Sequence, residues 1–308
     1  MNFVGLRGWF FIFSALVILP GIVFLIIAPG LKQGIDFTGG STLTLEFSDP
    51  VNQTDLRAEL ANLGHSDATV QQLEDNVFFI RTKELDEVAR VAVLAGTEGN
   101  LSPNGVQQLS FDLVSPVVAG ETILNAIYAI LAATVGIFFY VWWAFRNVPS
   151  PFRYGAAAII ALLHDAIIVI GIFSILGVLI EMEVGTMFLV AILTVIGYSV
   201  NDTIVVFDRI RENVLTFPNR ELSEVVNLSI SETIGRSLNT SVTLLITLMA
   251  LMLFGGSTIR EFLLVLLIGV VVGTYSSIAI ASQALISWEY GDFKRVILRR
   301  PVEASVSS

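Results

Sequence analysis

The chain has 308 residues, 54% of them hydrophobic and only 14% charged, with a mean hydropathy of +0.78. That apolar excess is more than a soluble core of this size can use, so the composition excludes an ordinary soluble domain and reads as a polytopic membrane protein. The formal net charge of −10 gives no basis for a nucleic-acid partner, and the absence of cysteine excludes a disulfide framework and thiol chemistry.

Apolar runs of spanning length at 9–28, 123–145, 154–180, 184–207, 237–254 and 262–285 predict six transmembrane helices. An even count places both termini on one side. Eleven Lys and Arg residues (Arg7, Arg146, Arg153, Arg209, Arg211, Arg220, Arg236, Lys294, Arg295, Arg299, Arg300) fall on that side against six on the other, which sets both termini in the cytoplasm. The first run is too long for a signal-peptide core, and Ala28-Pro29-Gly30 is a poor cleavage site, so it is expected to be an uncleaved span. Pro20-Gly21 inside it removes a backbone hydrogen bond, which we read as a packing feature rather than a hinge.

The expected organisation is a first span over 1–28, an exported α+β domain over 29–120, five further spans over 121–285 with a cytoplasmic amphipathic connection at 208–236, and a cytoplasmic tail at 286–308. After Pro29-Gly30, a glycine-rich turn, GIDFTGG at Gly34 to Gly40, feeds an alternating strand over Ser41 to Phe47. No Gly-Lys-Ser/Thr follows it, so it is not read as a phosphate cradle. Thr54 is expected to cap a helix ending near Leu63. Strands at Ala68 to Leu73 and Val77 to Arg81 meet at Glu74-Asp75-Asn76. A helix at Glu84 to Leu94, a polar loop at Thr97 to Gly105 and a strand at Val106 to Val114 complete a β-α-β-β-α-β, ferredoxin-like order. The domain's many acids read as a solvated surface, and His65 sits in a turn without a second ligand at metal spacing.

In the second span Ala126, Ala129, Ala132, Ala133 and Gly136 permit close helix approach, and Trp142, Trp143 and Phe145 form an interfacial belt. The third span carries His164-Asp165 near the midplane. Either these two satisfy each other and the backbone, or they belong to a proton path. A metal site is disfavoured, because His164 is the only histidine in the membrane.

The fourth span begins as an ordinary apolar helix, but Asn201 and Asp202 interrupt it before Arg209 and Arg211. At 1.5 Å per residue Asp202 lies roughly 10 Å inside the basic edge, where a charge costs about 2.5–3.5 kcal/mol on insertion scales. Thr194, Tyr198 and Asp202 recur at helical spacing as one polar stripe, so the acid is expected to face other helices rather than lipid. Asp165 differs from Asp202 by only about 8 Å in height, and a short loop at Glu181 to Glu183 makes their spans antiparallel neighbours, so the two can share a polar centre. An intramembrane aspartyl protease is disfavoured, since the Gly-x-Gly-Asp context is absent. Glu221 to Ile234 reads as an amphipathic segment on the membrane surface. Arg236, Asn239 or Thr240, Thr243 and Thr247 then follow helical spacing and are expected to turn toward the same interior, although an arginine at a helix start commonly snorkels. Gly269, Gly273 and Ser277 form a small-residue packing face in the last span, Lys294 to Arg300 is expected to tether the tail to anionic lipid headgroups, and Pro301 to Ser308 to be disordered.

With GIDFTGG after the first span, SPVVAGETI before the second, LLHD in the third and NDTIVVFDRIRENV closing the fourth, the chain resembles the SecD/SecF family of the resistance-nodulation-division superfamily, in its shorter SecF form. The resemblance covers nearly the whole chain, although SPVVAGETI departs from the glycine-rich version common in the family. It implies a non-enzymatic role in late protein export across the bacterial inner membrane, driven by the proton motive force, with protons as coupling ion and no cofactor. Partners implied are a SecD-like subunit supplying the other six-helix half, the SecYEG translocon, SecA functionally, YajC as an optional companion, unfolded secretory polypeptide and membrane lipids. Carried over by motif, Asp202 would carry protons, Arg236 would be its charged partner near the half-to-half interface, and His164 with Asp165 would support them. Asn201, Thr203, Tyr198 and Thr240 would be supporting polar groups, and Gly34, Asp36, Gly39 and Gly40 mark the family turn. The alternatives are one half of a proton-coupled transporter of small molecules or lipids, and a membrane scaffold whose polar centre only fixes helix register.

Overall fold

The structure is a computed structural model that describes residues 2–27, 30–256 and 259–291. The Ala28-Pro29 junction and the tail segments at Lys294 to Arg300 and Pro301 to Ser308 lie outside the described residues. Two units are resolved, Gln33–Tyr128 and the remainder, Met1–Lys32 with Ala129–Ser308. Among the described residues six helices are long and apolar enough to cross a membrane. The first, α1, covers Arg7–Ile27 after a single 3₁₀ turn at Val4–Leu6. Its Gly21 packs against Gly171: a Cβ there would lie 2.7 Å from the Gly171 Cα, so the Pro20-Gly21 step is a helix crossing.

The α+β unit follows the expected order. A short turn α2 (Ile35–Thr38) leads into β1 (Gly40–Phe47), α3 (Gln53–Asn62), β2 (Thr69–Glu74), β3 (Val77–Thr82), α4 (Glu87–Leu101) and β4 (Val106–Val114). The sheet order is β2-β3-β1-β4 with every neighbouring pair antiparallel, the ferredoxin-like arrangement. Strand alternation sends Leu43, Leu45 and Phe47 of β1 and Phe78 and Ile80 of β3 to one face, in register at Leu43↔Ile80 and Leu45↔Phe78. Leu56 and Leu60 of α3, Val93 of α4 and Leu85 before it close that core. Asn76, with φ of 62°, makes the tight β2–β3 turn.

Two expectations are corrected here. The helix cap is Asn52 rather than Thr54: the helix starts two residues earlier, and the Asn52 side-chain oxygen Oδ1 accepts the Thr54 N–H at 3.0 Å. Helix α4, capped by Asp86, runs on through Leu101, so most of the stretch expected as a polar loop is helical. Thr97 permits this because its hydroxyl donates to the Val93 carbonyl at 2.8 Å, which spends its polarity on the helix's own backbone.

The remaining helices are α5 (Pro116–Ala144), α6 (Pro151–Leu179), α7 (Thr186–Thr216), α8 (Leu222–Phe254), α9 (Arg260–Ser276) and, after a π turn at Ser277–Ala281, α10 (Ser282–Glu289). Within the membrane unit, α5 enters the core through Val141, and Phe145 just beyond it stacks on Tyr154 with ring centroids 5.2 Å apart. Along α6 the buried face is rich in Gly and Ala, including Gly155, Ala157, Ala158, Ala161 and Gly171, which lets neighbours approach closely. Helix α9 presents Gly269 and Gly273 to Val195 and Ser199 of α7; a Cβ on Gly273 would sit 3.0 Å from that of Ser199. Lys32 braces the α6–α7 loop, accepting the Val184 N–H at 2.8 Å and pairing with Glu181 and Glu183.

The amphipathic connection is not a separate surface segment. Residues Leu222 onward are the first turns of the continuous helix α8, and the polar face of those turns is used on protein. Val225, Val226 and Ile230 are buried, the Asn213 amide donates to Ser229 Oγ at 2.9 Å, and Arg209 of α7 donates to Glu232 at 2.6 Å.

Candidate functional site

Asp202 lies midway along α7 and is 7% exposed. Its neighbours Thr203, Val206, Phe207 and Ile210 are buried on the same helix, and the glycines of α9 bring that helix close enough to touch it. Both carboxylate oxygens are occupied. Oδ1 accepts from Ser237 Oγ of α8 at 2.6 Å, and Oδ2 from Ser277 Oγ, the first residue of the π turn, at 2.8 Å.

Asp165, on α6, is 2% exposed and equally well met. Its Oδ1 lies 2.8 Å from Nδ1 of His164, while Oδ2 accepts from Ser199 Oγ of α7 at 2.5 Å and from Ser276 Oγ of α9 at 2.7 Å. The His164 ring stacks on Tyr275 at 6.2 Å, and its Nε2 is buried without a hydrogen-bond partner. Tyr275 donates to the Phe10 carbonyl at 2.9 Å and meets Ser14 Oγ at 3.1 Å, so the polar centre is tied to α1. A third strand of the network runs from Tyr198 through Ser241 to Thr274, at 2.9 and 2.5 Å.

The two acids therefore share one polar centre, joined by the adjacent residues Ser276 and Ser277. Charged acceptors strengthen such hydrogen bonds roughly twofold over neutral ones. In a membrane interior each donor also replaces a water that is missing there. Among the described residues no Lys or Arg contacts either carboxylate, and no group of three or more His, Cys, Asp or Glu gathers as a metal site.

Several sequence expectations land elsewhere. Arg236, Asn239, Thr240, Thr243 and Thr247 do not turn inward; they are exposed on the outer face of α8, and Arg236 makes no ion pair among the described residues. The reason is the period of the inward face, which is set by Ser229, Thr233, Ser237 and Ser241 packing toward α7 and α9. Thr194 and Asn201 are likewise exposed, Tyr198 is half-buried and Thr203 is buried. Arg236 lines a polar pocket with Asp208, Arg209 and Glu212 of α7 and Glu232 of α8. In the other unit, Gly40 has φ of 122°, and a Cβ there would lie 2.6 Å from the Thr82 carbonyl oxygen, while Gly39 lies against Pro116. Gly34 caps α2 and Asp36 sits in its first turn, so the family turn is structural here.

Sequence reading missed Ser199, Ser237, Ser276 and Ser277. The usable signal was weak but present: Ser199 precedes Asp202 by three residues and so lies on the same helix face. The Ser276-Ser277 pair follows Gly273, within a polar stretch from Thr274 that interrupts the last apolar span. Treating Ser277 as a packing residue captured its size and overlooked its hydroxyl.

Comparison with known proteins gives a consistent picture. Residues 97–290 match the family described as "Protein export membrane protein SecD/SecF, C-terminal", and residues 24–51 match the "SecD/SecF GG Motif". The protein translocase subunit SecF of Thermobaculum terrenum is 43% identical over 322 residues, covering all of both chains. The protein translocase subunit SecDF of Bacillus subtilis is 34% identical over 96% of this chain and 39% of its own. The crystal structure of SecDF from Thermus thermophilus, a translocon-associated membrane protein, superposes with a TM-score of 0.81 at 34% identity, covering 94% of this chain. The chain spans 39% of that SecDF chain.

Proposed function

The chain belongs to the SecD/SecF family of protein-export membrane proteins, and from that membership we propose that it is a SecF-type subunit of the bacterial Sec export machinery, driven by the proton motive force. It is a multi-pass membrane protein and acts as a transport accessory rather than an enzyme. The observation that carries the proton-driven reading is the buried centre itself: two aspartates from adjacent spans, met by hydroxyls and an imidazole, in place of a cation. Intramembrane acids are costly and mark ion or proton pathways. Protons are the coupling ion, with Asp202 as carrier and Asp165 with His164 as its neighbours in the relay.

The outward polar stripe of Thr194, Asn201, Arg236, Asn239, Thr240, Thr243 and Thr247 supports a partner. Such residues are expensive against lipid, and a SecD-like half would cover them and give Arg236 an interfacial role. SecDF relatives carry the additional chain length that such a half requires. The distribution of Lys and Arg supports an inner-membrane protein with cytoplasmic termini and an exported α+β domain. In this reading the subunit works with SecYEG, and optionally YajC, on unfolded secretory polypeptide after SecA has acted. One proton crossing 100 mV releases about 2.3 kcal/mol, enough to bias a two-state equilibrium roughly fiftyfold.

The test is export of a secretory reporter under controlled membrane potential and pH gradient, comparing wild type with Asp202→Asn at matched protein levels. The proton-driven reading expects loss of the gradient-dependent fraction with assembly intact. Unchanged export would demote Asp202 to a group that fixes helix register.

A further inference from the structure

Ser276 and Ser277 each have two acceptors within reach. Ser277 Oγ is 2.8 Å from Asp202 Oδ2 and 3.0 Å from the carbonyl of Thr274. Ser276 Oγ is 2.7 Å from Asp165 Oδ2 and 3.2 Å from the carbonyl of Gly273. Both hydroxyls are fully buried. They stand where α9 gives way to a π turn, a rare geometry that recurs at functional sites. A π turn shifts the backbone donors by one residue, so carbonyls around it need other donors. Here side chains supply them: Ser282 Oγ donates to the Ser277 carbonyl at 2.9 Å and Gln283 to the Ile278 carbonyl at 3.2 Å, and the Ser277 hydroxyl lies within reach of the Thr274 carbonyl as its alternative acceptor.

We propose that Ser276 and Ser277 are positioning residues that convert the protonation state of Asp165 and Asp202 into a change in the π turn between α9 and α10. The proposal deepens the reading of Asp202 as proton carrier and rests on it. While Asp202 is ionised, Ser277 donates to Oδ2. When a proton binds Oδ2, the new O–H donates to Ser277 Oγ, and the serine hydrogen swings to the Thr274 carbonyl. One proton is gained, no covalent bond in the protein breaks, and one hydrogen bond moves from a side chain to the helix backbone. Ser276 performs the same exchange between Asp165 and Gly273.

The groups facing this pair leave the exchange undisturbed by fixed charge. They are His164 and Asp165 from α6, Tyr198, Ser199 and Asp202 from α7, Ser237 and Ser241 from α8, Thr274 and Tyr275 from α9, and Ser14 from α1. Among the described residues no Lys or Arg hydrogen-bonds to any of them, and Arg236 lies on the outer face of α8. Both states of each acid are thus fully hydrogen-bonded, which is what a carrier needs if neither state is to be trapped.

The test is pH-difference infrared spectroscopy of the full chain, co-purified with its membrane partner in lipid vesicles. Asp202→Asn assigns the carboxylic-acid C=O band of Asp202 and Asp165→Asn that of Asp165. Ser277→Ala is expected to move the Asp202 band to higher frequency, to abolish most of the accompanying helix amide change and to displace the pH profile of proton-driven export. Ser277→Thr is expected to restore all three, and Ser276→Ala to act on the Asp165 band alone. Should Ser277→Ala fail to assemble, Ser277→Cys, with its weaker donor, is expected to give an intermediate frequency. An Asp202 band and amide change identical to wild type in Ser277→Ala or Ser277→Cys overturns the proposal while leaving the carrier reading in place. No pH-dependent band lost in Asp202→Asn overturns both.

Discussion

Ser41, Thr97 and Ser102 are buried in the α+β domain, and Ser199, Ser237, Ser276 and Ser277 in the membrane bundle, yet the two sets serve different partners. In the domain they stitch backbone: Ser41 Oγ accepts the Leu85 N–H at 2.7 Å, Thr97 donates to Val93, and Ser102 donates to the Gly105 carbonyl at 2.8 Å. The partners of Ser41 and Thr97 are backbone groups that never change charge, and Ser102, which also reaches Asp49 Oδ2 at 3.1 Å, does so at the domain's edge. In the bundle the same chemical group meets carboxylates, whose charge can change, and two of the serines have a backbone acceptor in reserve. The hydroxyls of the domain's core, Ser41 and Thr97, hold one arrangement, whereas the polar centre is built to satisfy two.

The strongest challenge to that contrast is a hole in the domain core. Phe78 is fully buried between Phe47 and the facing helices, and Phe78→Ala should cost about 3–5 kcal/mol, a large share of the roughly 5–15 kcal/mol that stabilises a typical domain. Hydrogen exchange across β1 and β3 should accelerate strongly, while the pH-dependent carboxyl bands of the bundle stay where they were. Movement of those bands would show that the two regions do not divide the labour as described.

A smaller perturbation reverses the direction. Gly273→Ala places a methyl 3.0 Å from the Ser199 Cβ, and overpacking of this kind typically costs about 1–3 kcal/mol. Forcing α9 from α7 should lower the thermal midpoint of the membrane unit and lengthen the Ser277–Asp202 hydrogen bond, visible as an upward shift of the Asp202 C=O band. Exchange in the α+β domain should not change. An unaltered band would mean that the close approach of α9 does not set the carboxylate geometry.

The same contrast explains what the sequence made legible. Strand alternation from Leu43 to Phe47, the Asn76 turn and the six apolar runs each follow from one local rule, and each was found near its observed place. Asp202 and Asp165 were legible because a charge in an apolar span has no innocent reading by hydropathy alone. The serines were not, since a serine in a membrane helix can satisfy itself on its own backbone, as Ser229 does on Val225. Only the third dimension separates Ser229 from Ser277. The inward reading of Arg236 failed for a related reason: helical spacing gives a stripe but not its direction, and the competing stripe Ser229, Ser237, Ser241 took the buried side.

The smallest expected effect lies at the domain's edge and asks whether a carboxylate there is as static as the buried hydroxyls. Asp49 is held below the ordinary carboxylate range chiefly by the Asn104 side chain, whose amide donates to Oδ1 at 2.7 Å. The Asn104 backbone N–H, at 3.1 Å from Oδ2, acts in the same sense and outweighs the opposing effect of burial, and the Ser102 hydroxyl, also at 3.1 Å from Oδ2, adds the smallest contribution. A lowered folded-state value means that the ionised form is favoured by folding. Its contribution is therefore present in full above about pH 4, the unfolded carboxylate range, and is lost as pH falls through the lower folded value. Because Asp49 is only half-buried at the domain surface, the effect should be confined to the Ser102 to Gly105 loop it anchors, and salt should weaken it. Exchange at the Asn104 and Gly105 amides of the full chain should rise as pH drops below that range, after correction for intrinsic rates, and Asp49→Asn should flatten the dependence. If the same acid step instead altered exchange in the π turn, Asp49 would be linked to the proton chemistry of the bundle, and the line drawn between the two regions would have to move.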